Sequence, residues 1–263
     1  MSVIPLRMEA EYTEVTGGAP PVEHAHPESS PSTDRRRYAR QPHHARPAAD
    51  LGRSPLPLPL RIRPLPGWKR AVDLVGAVLC LMLLSPFMLV IAAAVKLTSR
   101  GPVIFRQKRA GLGGKPFVIY KFRTMVAEAS EAGNEALRRF NEQDGPVFKM
   151  RNDPRLTPLG KLLRRSSLDE LPQLWNVVRG EMSLVGPRPL EWGEAMACDA
   201  WEQRRLEVTP GITCIWQISG RSNLTFAQWI RMDLEYIRRR SLLLDAWILL
   251  KTIPAVLSRR GAR

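Results

Sequence analysis

The chain has 263 residues, 44% of them hydrophobic, and a net charge of +15. That is enough for one domain of ordinary size plus extensions, and basic enough to seek nucleic acid, anionic lipid or phosphorylated substrates. All four histidines, His24, His26, His43 and His44, lie in the first fifty residues, so the rest of the chain holds no Ser-His-Asp or Cys-His mechanism and no zinc site of the usual kind. Cys80, Cys198 and Cys214 are widely spaced and odd in number; they read as free thiols, not as a disulfide framework. The chemistry narrows to carboxylates.

Residues 1–66 read as a disordered, Pro-rich basic tail. It holds about half of the 23 prolines, in runs such as Pro55-Leu56-Pro57-Leu58-Pro59, and its short apolar pieces never develop a helical or strand period. No apolar stretch in it has signal-peptide length, so secretion is not expected. Its histidine pairs have no scaffold to hold a metal.

Leu74 to Val95 is an uncharged apolar run of 22 residues, which is transmembrane length. Lys69 and Arg70 precede it; Lys96 and Arg100 follow it. Cations on both sides place both ends in the cytoplasm by the positive-inside rule. Pro86 breaks the helix near mid-run, and Ser85 can satisfy freed backbone groups. Residues 67–100 are therefore expected to form a re-entrant membrane helix pair with Ser85-Pro86 at its apex.

Val103–Lys108 and Phe117–Thr124 are β-prone and flank Gly111-Leu112-Gly113-Gly114, which predicts a β-hairpin. Gly111 to Lys115 lacks the spacing of a phosphate loop. Lys121 and Arg123, two apart on the second strand, are expected to share a face. Residues 126–143 read as a polar, exposed helix. Thr157-Pro158 opens an amphipathic helix with Leu159, Leu162 and Leu163 on one stripe, ending at Arg164-Arg165. A second helix begins around Leu168-Asp169-Glu170, buries Leu171, Leu174, Val177 and Val178, and closes at Gly180. The loop Val185 to Pro189 follows. A short strand is expected over Ile212–Ile218, then a helix capped by Thr225. The last segment, Leu242 to Leu257, is an apolar helix on either a core or a membrane surface.

The segment from Ser166 to Leu174 is the most informative. Ser167 with Glu170 has the spacing of a capping box, although Pro172 suits a helix that starts later. The same geometry suits chemistry. A helix start keeps a carboxylate ionised and favours phosphate. Two adjacent acids call for a cation between them, and Mg²⁺ bridging to a diphosphate would supply it. Asp169 could then attack phosphorus. Basic residues surround the segment: Lys121, Arg123, Arg164, Arg165, Arg188 and Arg221. Arg188 between two prolines and Arg221 after a glycine present planar guanidinium forks suited to phosphate.

From Trp68 onward the sequence resembles the bacterial sugar transferases, the monotopic phosphoglycosyl transferases. The resemblance rests on Lys69-Arg70-Ala71-Val72-Asp73, Ser85-Pro86, Tyr120 to Met125, Leu156 to Gly160, Arg164 to Asn176, Met182 to Pro189 and Pro210 to Thr213. It implies a membrane enzyme that moves a sugar-1-phosphate from a UDP-sugar to undecaprenyl phosphate with Mg²⁺. The aspartate matching Asp169 forms a phosphosugar intermediate and UMP leaves; the dyad is Asp169-Glu170, which also holds the metal. Lys121, Arg164, Arg188 and Arg221 match phosphate and nucleotide contacts. Cys214 stands where many members have glycine, and Glu181 where aspartate is commoner. The run Gly145 to Pro154 is similar to the galactose/glucose branch.

The expected fold is α+β and mainly helical: the re-entrant pair plus a small cytoplasmic catalytic domain, 101–263, with a short β-hairpin and a C-terminal interfacial helix. The expected place is the cytoplasmic face of a bacterial inner membrane, at the start of exopolysaccharide or O-antigen synthesis. The charge also suggests a nucleic-acid binder or a polybasic membrane scaffold. No RNP, zinc-finger or helix-turn-helix signature is present, and the uncharged run argues against nucleic acid.

Overall fold

A computed structural model describes residues 60–126, 137–150, 152–220 and 224–258. All belong to one unit, 37–263. The tail up to residue 59 and the centre of the exposed helix expected over 126–143 lie outside the described residues. From Leu60 the chain is already part of the body: Leu60 packs on the core and the Arg63 N–H donates to the Glu207 carbonyl at 2.7 Å.

Helix α1 runs from Gly67 to Thr98, 32 residues and roughly 48 Å. Its apolar window has a mean hydropathy of 2.7. The sequence predicts two helices here; the structure has one, continuous through Pro86. A proline removes one backbone hydrogen bond and crowds the carbonyl four residues back, which bends a helix without ending it. The Ser85 hydroxyl donates to the Met82 carbonyl at 3.0 Å.

Both ends of α1 lie on the body, and its middle is largely uncovered. Lys69, Asp73, Ala77, Ile91 and Val95 are buried, with Leu81 and Met88 partly buried between them. These positions are spaced by three, four or seven residues, the period of one helix face. Leu79, Met82, Leu83, Leu89 and Val90 on the other faces are exposed.

Both ends of α1 are fastened by side chains. Lys69 Nζ meets Asp245 Oδ2 at 2.5 Å, and Asp73 Oδ1 accepts the Leu184 N–H at 3.0 Å. Arg70 donates to the Val177 and Val178 carbonyls at 2.6 and 2.8 Å. At the far end Arg123 donates to the carbonyl and hydroxyl of Ser99, each at 2.8 Å, and to the Pro102 carbonyl. Arg123 thus ties down the end of α1 and is buried. It does not join Lys121 on a common face, because the strand carrying Lys121 has ended at Phe122.

The hairpin forms as expected. Strands β1 (Ile104–Ala110) and β2 (Pro116–Phe122) pair antiparallel, with Phe105 opposite Lys121. Gly113 and Gly114 turn the chain at φ 65° and 75°, where a side chain would be strained. Helix α2 (Pro158–Arg165) starts at Thr157, whose hydroxyl accepts the Gly160 N–H at 2.9 Å. Helix α3 (Gln173–Val178) follows and ends near Gly180 at φ 81°.

A second sheet joins β3 (Ser183–Val185) in parallel with β4 (Gly211–Thr213). It was not legible as a pair. The strand expected through Ile218 stops at Thr213, and Ile215–Ser219 is a short helix, α6 after α4 (Trp192–Met196) and α5 (Ala200–Gln203). Tertiary packing overrides β-propensity there. Trp216 stacks on Trp229 of α7 (Phe226–Arg239) with ring centroids 4.3 Å apart. Thr225 caps α7, as the sequence predicts. Helix α8 (Leu242–Leu257) packs on the core by one face and leaves apolar residues uncovered on another. It buries Asp245 and Ile248, and it exposes Leu243, Leu250, Ile253 and Leu257. Among the described residues the architecture is mainly helical with two small sheets.

Candidate active site

The site begins with a backbone irregularity. Ser167 has φ 56° and ψ 16°, and is the one non-glycine residue with positive φ among the described residues. A left-handed serine costs roughly 1–2 kcal/mol, so the surrounding structure must impose it. The chain then makes a single 3₁₀ turn, Leu168–Glu170, before Pro172 starts α3. The capping box suggested by Ser167 and Glu170 does not form. The Ser167 side chain makes no cap, and the Glu170 carboxylate turns away.

Glu170 turns toward cations. Lys121 Nζ meets its Oε1 at 2.9 Å, Arg188 Nη1 donates to Oε2 at 2.9 Å, and Arg188 Nη2 to Oε1. Burial alone would raise this carboxyl; the Arg188 and Lys121 charges and their hydrogen bonds outweigh it and hold Glu170 far below the usual range. In return, the Glu170 charge overcomes burial and raises the Arg188 guanidinium. For Lys121 burial wins, and its ammonium is held below its ordinary value.

Asp169 is the opposite case. It is 5% exposed, and among the described residues its carboxylate takes no hydrogen bond from the protein. Burial raises its pKa to about 6; adjacent Glu170 also raises it, while Lys121, Arg164 and Arg188 pull it down. The two neighbours therefore have separate characters. Glu170 is a saturated anion, and Asp169 is a buried carboxylate with oxygens to spare.

Arg164 reaches the site from the end of α2. Its Nε donates to Thr124 Oγ1 at 3.0 Å, and burial lowers its pKa despite the Asp169 charge. Gly160 makes that position possible: a Cβ there would collide with the Thr124 backbone. Arg188 hangs from the Gly186–Pro189 loop after β3. With its amide oxygen toward the guanidinium, Gln217 accepts from Arg188 Nη1 at 3.1 Å and donates to the Ile212 carbonyl at 3.1 Å.

The structure thus brings together Asp169, Glu170, Lys121, Arg164 and Arg188. Arg221 lies outside the described residues. Ser85 and Pro86 are in α1, away from this cluster in sequence and both exposed. Sequence reasoning missed Arg109, which donates to the Pro189 carbonyl at 3.3 Å and to Gln107 Oε1 at 2.6 Å. Burial lowers its pKa; the Glu194 charge opposes that most, Arg188 adds to the lowering, and Glu191 and Glu170 act more weakly. Its signal was weak, one cation among several in a basic hairpin.

Three cations, Lys121, Arg164 and Arg188, act on the two carboxylates, while the Arg109 charge is answered first by Glu194. The excess positive charge suits a polyanion, and the unbonded carboxylate suits attack on its phosphorus. No cluster of three acidic, Cys or His ligands exists among the described residues. The donor set nevertheless fits Mg²⁺ through Asp169, because Mg²⁺ takes one or two carboxylates and fills the rest with phosphate oxygens and water. Glu170 fits as a second ligand only by giving up Lys121 or Arg188.

The family described as bacterial sugar transferase matches residues 66–259. The exopolysaccharide production protein ExoY of Rhizobium meliloti is 42% identical over 209 residues, covering 76% of this chain and 91% of that protein. The UDP-glucose:undecaprenyl-phosphate glucose-1-phosphate transferase of Caulobacter vibrioides is 40% identical over 208 residues, 74% of this chain and 71% of that protein. The undecaprenyl-phosphate galactose phosphotransferase of Salmonella typhimurium is 41% identical over 201 residues, 74% of this chain but 41% of that longer protein. With a match across nearly the whole described body, the chain belongs to the bacterial sugar transferase family.

Proposed function

We propose that this protein transfers a hexose-1-phosphate from a UDP-sugar to undecaprenyl phosphate, releasing UMP, through a phosphosugar intermediate on Asp169. The observation that carries this is the asymmetry of the dyad: Glu170 is locked between Lys121 and Arg188, while Asp169 has no protein hydrogen bond. The Asp169 carboxylate attacks the sugar-bearing phosphorus, the bond from that phosphorus to the bridging oxygen breaks, and UMP leaves with that oxygen. An oxygen of the lipid phosphate then attacks the same phosphorus and frees Asp169. Arg188, Lys121 and Arg164 bind the diphosphate and stabilise charge in the transition state. Mg²⁺ held by Asp169 would neutralise diphosphate charge and favour departure of UMP.

Relatives named for galactose and for glucose transfer support a hexose donor, as does the Gly145–Pro154 run. The test is a panel of UDP-sugars with purified protein, undecaprenyl phosphate and Mg²⁺, scored by UMP release. UDP-galactose or UDP-glucose is expected to outpace UDP-N-acetyl sugars. Faster release from UDP-GalNAc or UDP-GlcNAc would overturn the hexose assignment.

The same reading gives α1 a re-entrant course, bent at Pro86, with both ends on the cytoplasmic face of the inner membrane. Two things support it. Lys69, Arg70 and Asp73 at one end and Ser99 at the other are fastened to the same body, and the outward faces of α1 are apolar and exposed. A spanning course would put those two ends on opposite sides of a ~30 Å hydrocarbon core. Single cysteines at positions 61 and 105, in a Cys80→Ala background, are both expected to resist an impermeant thiol reagent in intact cells and to react after lysis. Labelling of position 61 alone from outside would mean that α1 spans.

A further inference from the structure

The loop carrying Arg188 has an unusual means of support. Pro187 and Pro189 have no N–H to donate, so Pro187-Arg188-Pro189 is held through its carbonyls. The Pro187 carbonyl accepts the Gly211 N–H at 2.9 Å. The Arg188 carbonyl accepts from Arg205 Nη2 at 2.7 Å. The Pro189 carbonyl accepts from Arg109, and the Leu190 carbonyl accepts the Ala110 N–H at 3.1 Å. Among the described residues, the grip on the backbone of residue 188 therefore comes from one side chain.

That side chain is held from behind. Arg205 sits on the 3₁₀ turn Arg204–Glu207, and its Nη2 lies 2.6 Å from Asp233 Oδ2 of α7. Both side chains are almost wholly buried, at 3% and 2% exposure. A buried ion pair is weak evidence of stability in its own right, since desolvation consumes most of its attraction. Here the pair also aims a donor at the backbone of the residue that grips Glu170 in two places.

We propose that Arg205, oriented by Asp233, is a positioning residue that sets the Arg188 guanidinium for the substrate diphosphate. The chain of contacts runs from Asp233 to Arg205, through the Arg188 carbonyl to its guanidinium, and on to Glu170 and Lys121. Neither Arg205 nor Asp233 touches substrate in this assignment. A shift of the Arg188 carbonyl moves the fork of a bidentate donor, and misplacement by about 1 Å costs on the order of 10²-fold in rate. This deepens the transfer reading and rests on it.

A double-mutant cycle tests it. UMP release is measured for the wild type, Arg205→Lys, Arg188→Lys and the double variant, alongside thermal unfolding. Arg205→Lys keeps the charge but loses the rigid guanidinium plane that holds Nη2 against both Asp233 and the carbonyl. It is expected to lower kcat/KM on the order of 10-fold to 10²-fold in folded protein. In the Arg188→Lys background the same change is expected to cost less than about 2-fold, because the residue it acts through is already lost. Asp233→Asn, which retains shape, should repeat the pattern and serves if Arg205→Lys does not fold. An equal loss in both backgrounds, or no loss in folded Arg205→Lys, overturns the proposal. Hydrogen exchange across 183–192 gives a readout free of activity: it should quicken in Arg205→Lys while 158–165 is unchanged, and an unchanged 183–192 segment counts against the proposal. Wild-type protein that releases no UMP sinks the transfer reading, while the exchange result still decides the positioning.

Discussion

Asp169→Asn protein is expected to release no UMP, form no sugar-phosphate adduct, and resist denaturant better than the wild type at pH 7.5. The first two follow from removing the nucleophile, since an amide at that position cannot form the acyl phosphate. The third follows from burial. The Asp169 pKa is about 6 in the folded protein against an ordinary 3.8. Between those values the folded protein binds more protons than the unfolded chain. The stability contributed by the neutral acid is full below about pH 4 and is lost as pH rises through about 6. Above that, ionised Asp169 costs up to about 3 kcal/mol. Asparagine keeps the shape without the charge, so the variant should gain about 1–3 kcal/mol at pH 7.5 and nothing at pH 4. A helix-cap role for the acid would give the opposite sign, a loss of about 0.5–2 kcal/mol with chemistry spared. Glu170→Gln should behave differently. It frees Arg188 and Lys121 from their shared anion, and turnover should fall on the order of 10²–10⁴-fold while a slow adduct on Asp169 persists.

Replacing Lys69 by Met at the start of α1 should cost about 3–5 kcal/mol. Lys69 is 2% exposed and lies 2.5 Å from Asp245 Oδ2 and 3.9 Å from Asp73 Oδ1. The other oxygen of Asp245 accepts the Tyr236 hydroxyl at 2.8 Å. Without the ammonium, two carboxylates remain buried near one another with no cation between them. The effect is measured as the loss of folded protein in a urea series in detergent. Adding Asp245→Asn to Lys69→Met should recover part of the loss, because one buried charge goes with its partner. A loss below about 1 kcal/mol would show that water reaches the pair.

Much of this was legible in the sequence because local chemistry agreed with the fold. The hairpin was marked by glycines between β-prone runs, and α2 and α7 by Thr157 and Thr225 at their starts. The dyad and three of its cations were carried by the resemblance and by loop chemistry around Arg188. What was not legible depended on partners distant in the chain. Arg123 looked like a companion of Lys121, yet the carbonyls it satisfies belong to residues 95–102, over twenty positions away. Ile212–Ile218 reads as a strand by composition, but the stacking of Trp216 on Trp229 makes its second half helical. The left-handed Ser167 has no sequence signal, because serine is an ordinary helix-start residue and the strain is imposed by the turn it enters. Arg205 was silent for a similar reason: its ligand is a backbone carbonyl, which every residue carries.

The central claim is that Asp169 carries the phosphosugar, and intact-mass measurement tests it directly. Purified protein is incubated with UDP-galactose or UDP-glucose and Mg²⁺, without lipid acceptor, and quenched. The wild type should gain the mass of one hexose phosphate with stoichiometric UMP, and addition of undecaprenyl phosphate should discharge it. Asp169→Asn should gain nothing. A hexose-phosphate adduct on folded Asp169→Asn, or UMP release by the wild type only when lipid is present and never with an adduct, would contradict the account.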